Sequence, residues 1–350
     1  MNKTKDNNKK NKSPKTYYQD INRCKINNNR KKSKYIKNNQ VIKKRKNKKM
    51  LKKVFSLVLL IFVVIATLFI IRMNENGWTY GGLLATVLGH NSKTAEGLDT
   101  IYIVITGESQ NLTDSIMLCA YNPKSNQATI MSIPRDTYTG ANQKNATASD
   151  KINTLYQKGP DKLLNEVNEI TGLNVKYYMN IDTNALRQLI NSVGGIYFDV
   201  PIDMDYDDPT QDLHIHLNAG YQLLDGEKSE QVLRFRHNND GSSYTASYGD
   251  NDIGRMKTQR EFIKALAKQI LSKNAIKNSK QYIQIIKNNV DTNFNLGEII
   301  HYLPYIIDFN TDNLKTITLP GESKKCNGVW LYIPSDLKKN KIIEENFTLI

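Results

Sequence analysis

The chain has 350 residues, with 49 Lys and Arg against 34 Asp and Glu and a formal net charge of +15. That total looks like the signature of a nucleic-acid binder, but 21 of the basic residues and only 2 acidic ones fall in residues 1–53, leaving the rest of the chain at about −4. Three cysteines exclude a disulfide scaffold: Cys24 lies in the basic leader, Cys119 in the apolar stretch SIMLCAY and Cys326 in a late loop, with pairing of the last two left open.

Residues 1–53 are rich in Asn and Lys and poor in large apolar residues, a composition that predicts a disordered tail. Val54 to Ile71 is an uncharged run of 18 residues, about 27 Å long as a helix, which predicts one transmembrane helix over 54–71. The leader is too long for a cleavable signal peptide and RMNENGW lacks a small-residue cleavage site, so the span reads as an uncleaved anchor. Basic residues crowd its N-terminal side, so the N-terminus is expected in the cytoplasm and the C-terminal domain outside the cell membrane. Residues 72–95, with Gly77, Gly81, Gly82 and Gly89, suit a linker or a short membrane-proximal helix.

From Asp99 the elements alternate. Strands are expected over 99–106, 114–121 and 127–133, with a turn at Asn122-Pro123-Lys124-Ser125. A helix follows from Pro160 and stops at Gly172, with Leu163, Leu164, Val167 and Ile170 on one face. Next come a strand over 175–181, a helix capped by Asp182 and ended by Gly194-Gly195, and a strand over 196–200. This β-α-β-α-β order predicts an α/β fold in which a central sheet is flanked by helices, a single domain over 96–340. Residues 201–212 read as a loop, 225–232 as a helix, and the stretch from about Arg255 as a long helix whose core stripe is Met256, Phe262, Ile263, Leu266, Ala267 and Ile270.

The polar motifs point to an anionic ligand. Ser132-Ile133-Pro134-Arg135-Asp136 ends a strand by presenting a guanidinium and a carboxylate at one place. Arg234-Phe235-Arg236 would put two guanidinia on one face of an extended segment, opposite Leu233 and Phe235. Arg255 and Gln259, four apart, share a helix face near its N-terminus, where free N–H groups favour anions. Arginine suits phosphate because its planar fork makes paired charge-assisted bonds, each contributing about 1.5–3 kcal/mol. Any one of these arginines alone equally suits a surface ion pair. Together they describe a site for a doubly phosphorylated ligand.

Asp114 stands at a strand start, where a carboxylate beside phosphate can hold Mg²⁺; alone it also suits a turn or strand cap. His214-Ile215-His216 aligns two imidazoles on one strand face, but no third ligand is evident nearby, so they read as ordinary polar positions. Asp203, Asp205, Asp207 and Asp208 lack the glycine and closing Glu of a calcium loop and read as a solvated acidic loop.

The blocks TDSIMLCAYNPKSNQATIMSIPRDTY, DKINTLYQKG, YYMNIDTNALRQLINSVGGIYFDVP, LNAGYQLLDGEKSEQVLRFRH and DNDIGRMKTQREFI, in this order, resemble the LytR-CpsA-Psr (LCP) family. The resemblance implies a membrane-anchored phosphotransferase of Gram-positive bacteria in cell wall biogenesis. Such an enzyme moves a polyprenyl-pyrophosphate-linked glycopolymer, such as a teichoic acid or capsular polysaccharide, onto peptidoglycan through a phosphodiester bond. It implies Arg135, Arg234, Arg236, Arg255 and Gln259 as the pyrophosphate grip and Asp114 as a Mg²⁺ ligand. Asp114, Arg135 and Asp252 become the catalytic set, with Asp252 a base or orienting carboxylate. The implied partners are the lipid-linked glycan donor, peptidoglycan and membrane lipid, with no nucleic acid expected; the basic leader would separately face anionic lipid or nucleic acid.

One departure stands out. The family's first loop carries an Asp followed closely by an Arg, whereas here it reads GESQNLTD, with Ser109 at the Asp position and no Arg near Asn111. Glu108 is one residue off, and a strand neighbour normally points to the opposite face. That loss leaves open an alternative, a regulatory paralogue that binds or weakly hydrolyses the lipid pyrophosphate.

Overall fold

A computed structural model describes residues 14–91, 93–109, 112–249, 251–271 and 279–348, which fall into two compact units, Met1–Ile71 and Arg72–Ile350. Helix α1, Pro14–Asn76, carries the apolar run of the first unit, whose side chains stand exposed. Over 14–53 the expected disordered tail is helical instead. This stretch has no glycine, its one proline occupies the first helical position, and lysine is a good helix former. A helix that already exists over the apolar run extends without the cost of a new nucleus.

Among its described residues the second unit holds twelve strands: β1 Ile101–Ser109, β2 Leu112–Asn122, β3 Gln127–Ile133, β4 Tyr177–Asp182, β5 Ile196–Val200, β6 Met204–Asp208, β7 Leu213–Leu217, β8 Gly220–Leu224, β9 Val290–Thr292, β10 Leu314–Thr318, β11 Gly321–Cys326 and β12 Val329–Pro334. The central mixed sheet has the order β10-β3-β2-β1-β4-β9, parallel at β10/β3 and β1/β4. Helices used below are α2 Tyr80–Val87, α3 Pro160–Thr171, α4 Thr183–Ser192, α5 Gly226–Arg234, α6 Asn251–Ile270, α7 Leu296–Ile307 and α8 Asp336–Ile343.

Strand alternation divides the core. Ile116, Leu118 and Ala120 of β2 pack with Leu163, Leu164, Val167 and Ile170 of α3, the predicted stripe, while Met117 and Cys119 face the opposite side, toward Ile263 of α6. Gly172 ends α3 in the left-handed conformation and the Asp182 carboxylate accepts from Ala185 N at 2.6 Å to start α4, as the sequence predicts.

The second unit departs from the sequence reading in four further places of its fold. Strand β5 leaves the central sheet and pairs with β8; Ile196, Phe198 and Val200 are buried while Tyr197 and Asp199 are exposed, so it has one apolar face where a strand sandwiched between helices needs two. Residues 201–212 are not wholly loop, since β6 pairs with β7 in register Asp205↔His216 and Asp207↔His214. Residues 72–95 are not a free linker, because the alternative, a short helix, forms as α2 and packs into the domain: Gly81 lies so near α7 that a Cβ would meet the Pro304 carbonyl oxygen at 2.1 Å, and its N–H donates to Asp308 at 3.1 Å. The core also runs past 340, with Phe347 fully buried and its carbonyl accepting from the Tyr102 hydroxyl at 2.8 Å. Cys119 and Cys326 are both free thiols.

Candidate active site

A cavity of about 210 Å³ opens between the Met117 face of the sheet, helices α4, α5 and α6, and the β6–β7 hairpin. One wall is apolar, with Ile105, Met117, Ile181, Leu186, Leu233 and Ile263; the mouth is charged.

Asp114 organises that mouth through a β-bulge. The β1–β2 ladder pairs Gly107 with Ser115 and then Glu108 with Thr113, so Asp114 is an extra residue with no opposite partner. A bulge interrupts the alternation of faces and re-aims side chains. Here its consequence is that Asp114 lines the cavity beside Ser115, while Glu108 keeps to the face of Thr106 and Asn180 as simple alternation requires. Glu108 accepts from the Asn180 side-chain amide at 2.5 Å, and Asn180 in turn accepts from Thr106 at 2.7 Å. Gln110 and Asn111 lie outside the described residues.

Arg135 follows β3, whose Ile133 pairs with Ile116 of β2; two residues further on, Arg135 reaches Asp114, Nη1 to Oδ1 at 2.8 Å. Arg236 reaches the same Oδ1 at 3.0 Å, so two guanidinia share one carboxylate oxygen. Arg255, only 3% exposed, completes the group from the first turns of α6 and pairs with Asp252 at 3.0 Å. Burial pushes the Arg255 guanidinium below its ordinary value, Asp252 opposes that shift, and Arg236 and Arg135 reinforce it. The buried Nε atoms of Arg135 and Arg255 have no hydrogen-bond partner. Clustered cations with unfilled donors suit an anion, although Arg260, outside the cluster, carries a buried unfilled Nε as well. The glycine before Arg255 has a steric reason: a Cβ on Gly254 would meet the Gly249 carbonyl oxygen at 2.3 Å.

The remaining residues act differently from the sequence reading. Arg234 and Arg236 do not share an extended face, because Arg234 is the last residue of α5 and only Phe235 turns extended. Arg234 therefore bonds back to Glu230 at 3.0 Å and across to Gln211 at 3.2 Å, Leu233 lines the cavity and Phe235 enters the core. Both arginines still face the same cavity. Gln259 also lines it, but its amide donates to the Leu233 carbonyl at 3.2 Å and accepts from Ser115 at 3.4 Å, tying α6 to the segments bearing Arg234 and Asp114. Asp252 touches the cavity only through Arg255, and Arg135 only through Asp114. The sequence reading missed Glu230, which is buried and bonds both Arg187, at 2.7 Å, and Arg234; its place one helical turn before Arg234 was the available signal.

One carboxylate at the mouth bears on Mg²⁺. Both guanidinium bonds to Asp114 fall on Oδ1, whereas Glu108 is bonded to Asn180 with Thr106. One or two carboxylates beside phosphate oxygens and water is the usual protein share of a Mg²⁺ site, so Asp114 fits the ion.

Residues 86–348 match the LytR_cpsA_psr family. An uncharacterized protein of Staphylococcus aureus is 30% identical over 224 residues, covering 64% of this chain and 52% of its own. A Bacillus anthracis protein named polyisoprenyl-teichoic acid–peptidoglycan teichoic acid transferase TagU is 29% identical over 238 residues, covering 67% of this chain and 73% of its own. The chain thus spans about half the length of the first relative and about three quarters of the second. Among solved structures, protein gbs0355 of Streptococcus agalactiae superposes with a TM-score of 0.57 at 27% identity, covering 73% of this chain and 90% of its own. With the match spanning the sheet, the arginine cluster and the cavity together, the chain belongs to the LytR-CpsA-Psr family.

Proposed function

We propose that this protein is a membrane-anchored phosphotransferase that moves a glycopolymer from a polyprenyl pyrophosphate onto a hydroxyl of peptidoglycan. The observation that carries the reading is the convergence of Arg135, Arg236 and Arg255 around Asp114, with two buried Nε donors unfilled, at the mouth of a cavity whose wall is apolar. Such a site suits a ligand with two adjacent phosphates and a hydrocarbon tail. The donor-binding chemistry agrees with the name of the Bacillus anthracis relative.

In the reaction the acceptor oxygen forms a bond to the glycan-side phosphorus, the bridging P–O bond breaks, polyprenyl monophosphate leaves and the hydroxyl proton passes to solvent. Such transfers depend on positioning and charge stabilisation more than on covalent help from the protein. Arg135, Arg236 and Arg255 hold the phosphates, Arg234 is kept at the rim by Glu230, and Gln259 fixes the walls. Asp252 orients Arg255. Asp114 would hold Mg²⁺, which when bound neutralises charge on the pyrophosphate oxygens. Glu108, bonded to Asn180 on the Thr106 face, does not replace the carboxylate missing at Ser109, so the experiment below decides between turnover and the regulatory alternative. The charge of residues 1–53 against the single Arg72 just past the apolar run supports a cytoplasmic N-terminus and an extracellular domain in contact with membrane lipid.

The test is to incubate the detergent-solubilised full chain with a short polyprenyl-pyrophosphate saccharide and a peptidoglycan oligomer, with Mg²⁺ or EDTA, beside Arg135→Ala. Product that needs both the metal and Arg135 supports the transferase. Donor binding without product, where a relative carrying the intact Asp and Arg turns over, supports the regulatory reading.

A further inference from the structure

The outer face of the β6–β7 hairpin carries a second cluster that the phosphate site does not use. Asp207 lies directly opposite His214 across the ladder and diagonal to His216, and one ligand atom from each of the three lies within 4.8 Å of the others. The third ligand that the His-Ile-His spacing lacked in sequence is thus supplied by the neighbouring strand, from an aspartate of the supposed acidic loop. Asp207 Oδ1 is 2.5 Å from His214 Nδ1 and 3.4 Å from His216 Nε2. Ligand atoms bound tetrahedrally at about 2.0–2.1 Å from a metal stand roughly 3.3 Å apart, so small side-chain rotations suffice.

The far side of each imidazole also faces a carboxylate. Asp205 Oδ1 is 2.8 Å from His216 Nδ1, which fixes that nitrogen as the donor and leaves Nε2 free to ligate. Asp212 Oδ1 is 3.7 Å from His214 Nε2, on the ring edge opposite the ligating Nδ1. The Asp205 carboxylate behind His216 is the outer-shell arrangement that orients such a ligand, whereas Asp212 lies beyond hydrogen-bond reach of His214. The backbone is held as well: Asn238 accepts from Asp205 N at 2.7 Å and Asn239 from Asp207 N at 3.3 Å.

We propose that His214, His216 and Asp207 form a binding site for a divalent transition-metal ion of the Zn²⁺ class, with a fourth position open to water. Two imidazoles and one carboxylate suit Zn²⁺, Ni²⁺ or Cu²⁺ and not Mg²⁺, which prefers oxygen and keeps its water. This site is separate from the Mg²⁺ residue of the phosphate cavity, and the two use different ions.

Isothermal titration of the detergent-solubilised full chain with ZnCl₂ in excess MgCl₂ tests it. The expected result is one Zn²⁺ per chain, with affinity lowered at least about 10-fold in His216→Gln and in His214→Gln, and about 10-fold or more in Asp205→Asn through the outer shell. Arg135→Ala, which disables the phosphate site, leaves Zn²⁺ binding unchanged, so failure of one reading is separable from failure of the other. Unchanged binding in both histidine variants, or no binding by the parent chain, overturns the proposal and leaves the cluster a network of histidine–carboxylate ion pairs. Absorption of the Co²⁺-substituted parent chain supplies a second readout that needs no variant to fold: a tetrahedral spectrum supports the site, and a fully hydrated, octahedral spectrum overturns it.

Discussion

The β6–β7 hairpin has two faces with opposite electrostatics. Tyr206 and Leu213 look into the cavity where Arg234, Arg236 and Arg255 gather, while Asp205, Asp207, His214 and His216 alternate outward on the same strands. Arg255 is shielded, at 3% exposed, and Arg234 largely so, while Arg236 is 42% exposed at the mouth; two guanidinium nitrogens of the cluster lack partners. The outer imidazoles are 56% exposed and already paired with carboxylates. The difference separates two uses of charge. A buried, under-satisfied cation acts on whatever anion enters, because low surrounding polarity leaves its field unscreened, whereas an exposed pair contributes little until a multivalent ion bridges it.

The largest expected effect breaks the inner side alone. Arg135→Ala should lower transfer by roughly 10²–10³-fold, the usual consequence of deleting one donor to a developing charge, with circular dichroism and melting temperature close to the parent. A fall in activity that tracks unfolding would instead make Arg135 a structural residue. Next is the hinge between the faces: Ile215, fully buried between His214 and His216, anchors the hairpin in the core with Phe198 and Phe235. Ile215→Ala should cost about 3 kcal/mol and lower the melting temperature by roughly 6–12 °C.

Smaller, and diagnostic of how the rim is held, is Glu230→Gln. The carboxylate is 8% exposed and receives Arg187 and Arg234 on separate oxygens, but Arg187 is 42% exposed and is screened accordingly. Losing the charge should cost about 1–2 kcal/mol by thermal or urea unfolding and slow transfer about 10-fold by freeing Arg234. Loss of stability with full activity would show that Arg234 contributes no grip on the phosphates.

The two faces were unequally legible. The phosphate side was readable because its groups sit at segment ends that announce themselves: Arg135 after a strand, Arg255 after a sterically required glycine, Arg236 after a core phenylalanine. The turn of Asp114 to the same side as Ser115 was not, because a one-residue bulge cancels the alternation on which strand reasoning rests, and nothing in GESQNLTD announces the bulge. Arg234 misled for a related reason, since the helix ran two residues further than its pattern suggested and changed the direction of the side chain. The metal cluster was half visible: His214 and His216 were on the page, but the ligand between them depended on β6, whose sequence MDYDD has the charge of a loop and forms a strand because Met204 is buried and Tyr206 half-buried on one face.

The smallest effect sharpens the comparison most. Asp205 is 80% exposed and its carboxylate accepts from His216 Nδ1, so by itself the pair is screened and Asp205→Asn should shift the melting temperature of the metal-free chain by no more than about 1–2 °C. Transfer should be unchanged too, since the side chain points away from the cavity. With ZnCl₂ present, the parent chain should gain melting temperature as ligand binding to the folded state requires, and the variant should gain less, because its amide holds the His216 ring less firmly. A substitution silent without metal and visible with it places Asp205 behind the ligand. A large shift in the metal-free chain would mean that the outer acids stabilise the hairpin directly, and the contrast between its two faces would be one of exposure alone.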